Sequence, residues 1–456
     1  MSARNQLSLI VLLIVIFLSI KLTLLFMPHH VGWDEAVYLG MGKYLYSGGE
    51  AGLWEDIRPP GLPLILGMLW VISPSNLIVL SELLSIIFGV ACGVLTFLLG
   101  RKLFSWQTGA FSALLLLSAP VFFLSSSAIM SAVPATFFSL LALYLFVCKK
   151  HPIVVGISVG IAFLFRFTHG TMLVALIVLY MVSPRKFRNL SLVVGGSLIA
   201  VLPFLVFNYV QYSDITASPI DALFRPFIFA SSHQYNPFHQ ESVFFYLVQL
   251  LRENALFAVG VIVIFFFRSR LSIVVPFLLY LLYYSIIPNK QARFLVDFLP
   301  VICIITAAGI SRASAFLRTK RLIVLTFFVL IAVAFIPAFY HNYLDYAQRP
   351  VFESPLVPFF ENVSSFGGPF LTMTPLPAVY GDSLFIPMYE DPAVALETYH
   401  TWKDKVNYVL YFSDYYPCTD AVCADQQAAL YTELEKHQRV MEFEVHNQNY
   451  TLFRIT

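Results

Sequence analysis

The 456-residue chain is 59% hydrophobic and only 12% charged, and its mean hydropathy is +0.77. That balance excludes a soluble globular domain and indicates a polytopic membrane protein. The net charge of +2 is too small for a nucleic-acid-binding surface, so no nucleic-acid partner is expected.

Apolar runs of about 17 to 25 residues are long enough to cross a bilayer as helices. The first, Leu7 to Met27, is too long for a signal peptide and lacks a small-residue cleavage site, so it reads as a retained anchor. Further spans are expected near residues 77–99, 107–124, 132–148, 152–167, 169–183, 189–209, 253–267, 271–287, 294–310 and 322–340, about eleven in all. The basic groups Arg101/Lys102, Lys149/Lys150, Arg185/Lys186/Arg188, Arg268/Arg270 and Arg312/Arg318/Lys320/Arg321 then fall on one side, as cytoplasmic loops require. This makes the amino terminus cytoplasmic and the carboxyl terminus extracytoplasmic.

Gly61 to Ile72 is apolar but too short to span. If it did span, every later basic loop would change sides. It is therefore expected to be a re-entrant or interfacial helix on the outer face, with Pro59, Pro60 and Pro63 at its head, where missing amide donors cost little. The outer loop, residues 28–76, gathers acids in a chain that otherwise avoids charge: Asp34, Glu35, Glu50, Glu55 and Asp56. Behind Asp34 and Glu35, the residues Val37, Met41, Tyr44 and Leu45 recur at helical spacing, which places the two acids in the first turn of an interfacial helix. Such acids can simply cap a helix. With Arg58 in the same loop they can also form a carboxylate and guanidinium set that activates a hydroxyl and binds a phosphate.

Arg166, in FLFRFTHG, either ends a helix at the interface or binds a lipid phosphate, because an arginine near membrane depth is costly without a partner. His169, like His29 and His30, reads as an interfacial polar residue rather than a metal ligand. Lys290 and Arg293, in NKQARFLVDFLP, break the charge sidedness; they either snorkel or neutralise a phosphate at the outer face. The outer loop Gln211 to Glu241, with Asp214, Asp221, Arg225, His233 and His239, is long enough to cover an acceptor.

Beyond Tyr340 the hydropathy falls, and residues 341–456 read as a separate soluble α/β domain. Strands are expected at Phe370 to Thr374, Asn407 to Phe412, Val440 to Val445 and Tyr450 to Ile455, with helices at Pro392 to Asp404 and Asp425 to His437. In an oxidising compartment Cys418 and Cys423 are expected to form a disulfide across a tight loop. Cys92, Cys148 and Cys303 sit in apolar segments as small core residues. Asn362 in NVS and Asn449 in NYT fit the N-glycosylation pattern, which also arises often by chance.

Two stretches resemble a known family. The loop after the first helix carries Asp34 and Glu35, then Tyr38 three residues on, then Arg58-Pro59-Pro60 before a short apolar helix. NKQARFLVDFLP is similar to a lysine, arginine-plus-aromatic and proline signature that opens a late helix. Together they resemble the C-type (GT-C) glycosyltransferases, more narrowly the protein O-mannosyltransferase and lipid A aminoarabinose transferase family (glycosyltransferase family 39-like), over roughly residues 7–340. The resemblance implies an all-α polytopic membrane domain of the GT-C type over residues 1–340, with outer-face juxtamembrane helices and the small α/β extracytoplasmic domain behind it. It implies transfer of a sugar, with inversion, from a polyprenyl-phosphate (dolichyl or undecaprenyl) carrier to a protein, glycan or lipid acceptor among membrane lipids at the outer face. Asp34 matches the catalytic acid and Glu35 its neighbour. Tyr38, Asp56, Arg58, Arg166, Lys290 and Arg293 become candidate substrate contacts.

One departure concerns metal. Where relatives carry an acid in a pattern like M-S-E-x-P, this chain reads Met130, Ser131, Ala132, Val133, Pro134. Ala132 cannot coordinate a metal, which weakens the inference of a bound divalent cation and leaves no certain cofactor, or passes the second acidic role to Glu35 or Asp56. The rival reading is a lipid or small-molecule transporter of the cell envelope, against which stand the lack of related halves and the gathering of charge at one face rather than the midplane. A scaffolding role in envelope assembly is weaker still. An oligosaccharyltransferase is disfavoured because the soluble domain has no WWDYG-like motif.

Overall fold

The computed structural model describes residues 3–26, 31–182, 186–222, 224, 241–263, 270–316, 340, 356–389, 392–413, 418, 421–445 and 448–455. The expected span at 322–340, the boundary near 340, the segment 225–240 and His29 and His30 lie outside the described residues, apart from Tyr340.

The membrane part is helical throughout its described length. α1 (Ala3–Leu25) leads to two shorter helices packed on each other, α2 (Trp33–Ser47) and α3 (Gly61–Ile72). α3 has 12 residues, about 18 Å of helix against a hydrocarbon layer of about 30 Å. That is shorter than the layer, as are several of the apolar helices that follow. α4 (Leu77–Leu103) and α10 (Lys186–Tyr212) are the two helices among the described residues that are long and apolar enough to cross a membrane unaided. Shorter apolar helices fill in between: α7 (Ala132–Val147), α8 (Pro152–Phe165) and α9 (Gly170–Met181), then, after α10, further helices to Phe316.

The expected span at 107–124 is broken into α5 (Trp106–Ser118) and α6 (Pro120–Ser125). Pro120 has no amide hydrogen and opens a new helix at its first position. Near the carboxyl end of the short α6, buried Lys21 of α1 donates to the Phe123 carbonyl and to Ser127 Oγ at 3.0 Å.

Small residues set the closest helix approach. Gly156 and Gly160 face Val193, Gly196 and Ser197 across the α8 and α10 interface, an arrangement that lets helix backbones meet in an apolar medium. A Cβ at Gly156 would lie 2.1 Å from the Val193 carbonyl oxygen. The residue numbers rise together on the two helices, so α8 and α10 run parallel, with α9 connecting them in sequence.

The carboxyl-terminal part forms one five-stranded sheet in the order β2-β1-β3-β5-β4, from β1 (Phe370–Thr372), β2 (Phe385–Pro387), β3 (Tyr408–Phe412), β4 (Gln438–Val445) and β5 (Gln448–Arg454). The first three strands pair in parallel and the last three antiparallel. β2 is the strand that hydropathy does not reveal, being three residues long and ending in proline.

This sheet is built onto the acidic loop. Its core includes Val37 and Met41 of α2 and Leu53 beyond it. Gly52, at φ +81°, forms a parallel bridge with Leu384, and a Cβ there would lie 2.1 Å from the Gly40 carbonyl oxygen, so only glycine fits. Buried Lys43 donates to the Val379 and Gly381 carbonyls, both at 2.9 Å, and to Asp382 at 3.1 Å. The α2 segment is thus held from both sides, by the helical bundle and by the sheet.

Replacing Gly156 with Val should force α8 and α10 apart and destabilise the folded protein by about 1–3 kcal/mol, the usual cost of overpacking. Thermal unfolding of the purified protein in detergent would register it as a lower midpoint; an unchanged midpoint would contradict the packing described.

Candidate active site

The first turn of α2 carries the two acids, and the fold gives them different tasks. Glu35 reaches back to the N-cap: its Oε2 accepts from the Gly32 amide at 2.6 Å, the half of a capping box that a glycine N-cap allows. Its Oε1 accepts from the Ile129 amide at 2.8 Å, tying α2 to the turn before α7. Both carboxylate oxygens therefore hold backbone. Asp34 is different, because each of its oxygens meets a guanidinium. Arg58 Nη2 donates to Oδ1 at 2.6 Å and Arg293 Nη1 donates to Oδ2 at 2.5 Å.

Arg58 is itself anchored. Its Nε donates to Glu55 Oε2 at 2.9 Å, and its guanidinium lies 5.5 Å from the centre of the Tyr38 ring. The Tyr38 hydroxyl in turn bonds Ser131 Oγ at 3.0 Å. Glu55 Oε1 accepts from the hydroxyl of Tyr389, a residue of the sheet domain. Burial works against the charge on Asp34, but Arg58 and then Arg293 outweigh it and hold the carboxyl well below the usual carboxylate range. Asp34 is therefore ionised at neutral pH, with side-chain exposure of 17%.

A second charged network adjoins the first. Arg166 Nε lies 3.3 Å from Asp297 Oδ2, an oxygen that also faces His169 Nε2 at 3.4 Å and accepts from the Tyr284 hydroxyl. Thr168 donates to the same oxygen at 3.3 Å. The other ring nitrogen of His169 meets Ser139 Oγ at 2.6 Å and the Tyr280 hydroxyl at 2.9 Å. Phe294 joins the two networks, with the Arg166 guanidinium 5.0 Å and that of Arg293 5.9 Å from its ring centre.

Asp34, Tyr38, Arg58, Arg166 and Arg293 are thus drawn toward one site from α2, the following loop, the end of α8 and the turn before the Leu299–Phe316 helix. Lys290 is not held there: it is buried and donates to the Ile287 carbonyl at 2.8 Å. Asp56 lies near the Tyr212 hydroxyl, which itself accepts from Trp54 Nε1 at 2.5 Å. Cys418 and Cys423 are bonded, with their Cα atoms 5.4 Å apart. Asn362 and Asn449 are exposed.

Sequence reasoning missed Glu55 and Asp297 as members of the site, and Tyr389 altogether. Asp297 had a signal, since an acid inside the apolar run after Arg293 demands a partner. Tyr389 had none, standing 334 residues from Glu55. No group of three or more His, Cys, Asp or Glu side chains fit to hold a metal occurs among the described residues. A divalent cation at Asp34 would meet a guanidinium already on each oxygen, and Ala132 is buried at the head of α7.

A profile of the Alg9-like mannosyltransferase family matches residues 60–354, more than half of the 456-residue chain. The chain belongs to this family. Membership makes it a membrane glycosyltransferase and sets the transporter reading aside. No curated protein matches the sequence.

Among solved structures, ArnT from Cupriavidus metallidurans in the apo state is similar over 100% of this chain and 99% of its own, with a TM-score of 0.69 at 15% identity. Its form bound to undecaprenyl phosphate has a TM-score of 0.68 at 14% identity over the same shares. The archaeal oligosaccharyltransferase AglB from Archaeoglobus fulgidus, in complex with an inhibitory peptide and a dolichol-phosphate, is similar over 98% of this chain and 74% of its own, with a TM-score of 0.58 at 14% identity. At such identities the likeness is one of fold. This member of the Alg9-like family therefore has the GT-C architecture, helical bundle and appended sheet together.

The charge on Asp34 contributes stability that is complete above its unfolded pKa of about 4 and is lost as the pH falls through the lower, folded value. Arg58→Gln should therefore lower the melting temperature more at pH 7 than at pH 3, with a loss at neutral pH of roughly 3 kcal/mol, as for one partner removed from a buried pair. Dye-monitored melts in detergent across pH would measure it; equal losses at both pH values would refute the assignment.

Proposed function

We propose that this glycosyltransferase takes its sugar from a polyprenyl-phosphate carrier and passes it to a hydroxyl acceptor at the extracytoplasmic face, with Asp34 as the base. The observation that carries the reading is one carboxylate held between two guanidinium groups at the junction of the bundle and the sheet domain. The lipid phosphates bound by the ArnT and AglB structures support the donor class. The sidedness of the basic loops, about eleven spans with a cytoplasmic amino terminus, supports the outward placement. Residues 341–456 then form a distinct extracytoplasmic domain behind the catalytic domain of residues 1–340.

In the reaction the acceptor oxygen attacks the anomeric carbon, Asp34 takes the hydroxyl proton, and the bond from that carbon to the phosphate oxygen breaks. The lipid phosphate leaves with the electron pair, and a single displacement inverts the anomeric centre. Arg58 and Arg293 stabilise the charge that develops on the leaving group. Arg293 Nε is buried and makes no hydrogen bond, so this side chain has a donor in reserve. Arg166, backed by Asp297, supplies a third cation. Glu35 orients α2 rather than reacting.

A carboxylate with so low a pKa is a weak base. The donor phosphate resolves this by competing with Asp34 for the same guanidiniums, which loosens their hold and raises the basicity of Asp34 once donor is bound.

Asp34→Asn keeps the shape and removes the base. With radiolabelled polyprenyl-phosphate sugars and envelope membranes as acceptor, it should lower the transfer rate by about a hundredfold to ten-thousandfold. Transfer by the variant at the wild-type rate would eliminate Asp34 as the base.

A further inference from the structure

The sheet domain reaches the candidate site through one side chain. Tyr389 follows β2, is 5% exposed, and donates its hydroxyl to Glu55 Oε1. Its ring stands edge-on to Trp33, the residue before Asp34, with centroids 4.8 Å apart. Glu55 is left with Oε2 for Arg58 Nε at 2.9 Å, and Arg58 presents Nη2 to Asp34 at 2.6 Å. A chain of three hydrogen bonds therefore runs from the sheet to Asp34.

From this geometry we propose that Tyr389 is a positioning residue for glycosyl transfer, fixing Glu55 so that Arg58 is aimed at Asp34, and that the carboxyl-terminal domain is part of the active site. The inference rests on the reading of Asp34 as the base.

The argument is one of freedom removed. A glutamate and an arginine on one loop turn can pair in many rotamers, and an exposed pair of this kind holds little geometry. Docking one carboxylate oxygen on a buried phenol leaves the other a single direction. The phenol cannot drift, because the strand before it is in register with β1 and bridged to Gly52 of the same acidic loop, through Leu384. Lys43 pins the turn before that strand to α2. Each link ties residues far apart in sequence, so the acid, its arginine and its glutamate keep their spacing only while the sheet is docked.

The groups facing Asp34 are Arg58 from the loop and Arg293 from the turn before the last described bundle helix, with Tyr38 under Arg58. Losing the Tyr389 hydroxyl should free Glu55, loosen Arg58 and leave Arg293 in place. The Asp34 carboxyl should then protonate at higher pH, although nothing in contact with it has changed.

The test uses the full-length protein in detergent or liposomes, wild type against Tyr389→Phe, which keeps the ring on Trp33 and removes only the hydroxyl. Infrared difference spectroscopy against pH, with the Asp34 band identified by its loss in Asp34→Asn, reads the carboxyl without substrate. Transfer from a radiolabelled polyprenyl-phosphate sugar that the wild type turns over gives kcat, KM and the acid limb of the pH profile. In Tyr389→Phe, Asp34 should protonate at higher pH, the acid limb should move up with it, and kcat should fall about tenfold, the scale of one hydrogen bond to a charged group, with KM for the donor nearly unchanged. Glu55→Gln should lose activity to a similar degree, and the double variant should lose little more. A purely structural tyrosine would lower yield or melting temperature and leave the Asp34 titration where it was. That result, or wild-type kcat in both variants, overturns the proposal. Full activity in Asp34→Asn would instead overturn the reading of the base, and an inactive Asp34→Asn beside an unaltered Tyr389→Phe would overturn the positioning role alone.

Discussion

A carboxylate clamped between two guanidiniums is the interaction on which the site depends. In a chain with only 12% charged residues, Asp34 at 17% side-chain exposure can stay ionised only because Arg58 and Arg293 each meet one of its oxygens. Arginine suits this task better than lysine, since its planar fork can bond one partner and still offer donors to another. Arg58 does so, serving Asp34 and Glu55 together. The architecture around it, from the Glu35 contacts that fix the start of α2 to the sheet residue that bonds Glu55, keeps these four groups at contact distance.

The second network answers a different physical demand. Arg166 and Asp297 lie deeper among apolar helices, where an unpaired charge is costly. Four neighbours, Arg166, His169, Thr168 and Tyr284, converge on one oxygen of Asp297. With its second oxygen buried and making no hydrogen bond, Asp297 is oriented rather than fully satisfied. Phe294 contacts both cations, Arg166 and Arg293, and so links the two networks.

Much of this was legible in the sequence, for reasons that can be named. The acids at the head of α2 followed from helical spacing, and the bounds of the short α3 followed from its apolar run between prolines and Ser73. The arginines stood out because charge is rare in apolar text. Hydropathy patterns, however, report faces of elements and not which faces meet. The Asp34 and Arg293 contact joins residues 259 apart, and Tyr389 meets Glu55 across 334. Glu35, adjacent to Asp34 and chemically alike, could not be told from it until the backbone amides of Gly32 and Ile129 claimed its oxygens. Lys21 was overlooked for the opposite reason: a single lysine in an apolar helix looks like an interruption, and its partners, Phe123 and Ser127, lie 102 and 106 residues away.

The charges at the site also fit the proposal that a base and two cations share one contact. Asp34, Glu55, Arg58 and Arg293 sum to zero, which a water-poor surface tolerates. A sugar-linked lipid phosphate adds one negative charge on binding. In the proposed reaction, as the acceptor proton moves to Asp34, that carboxylate becomes neutral, while the departing phosphate gains a second negative charge. The total within the cluster is unchanged, and the charge moves from one neighbour of the guanidiniums to another. Arg58 and Arg293 need only shift their bonds from carboxylate to phosphate, so proton uptake at Asp34 and stabilisation of the leaving group become a single exchange. An isolated base would require fresh countercharge at the moment of bond breaking; here it is already in place, held in the resting state by the group that will release it.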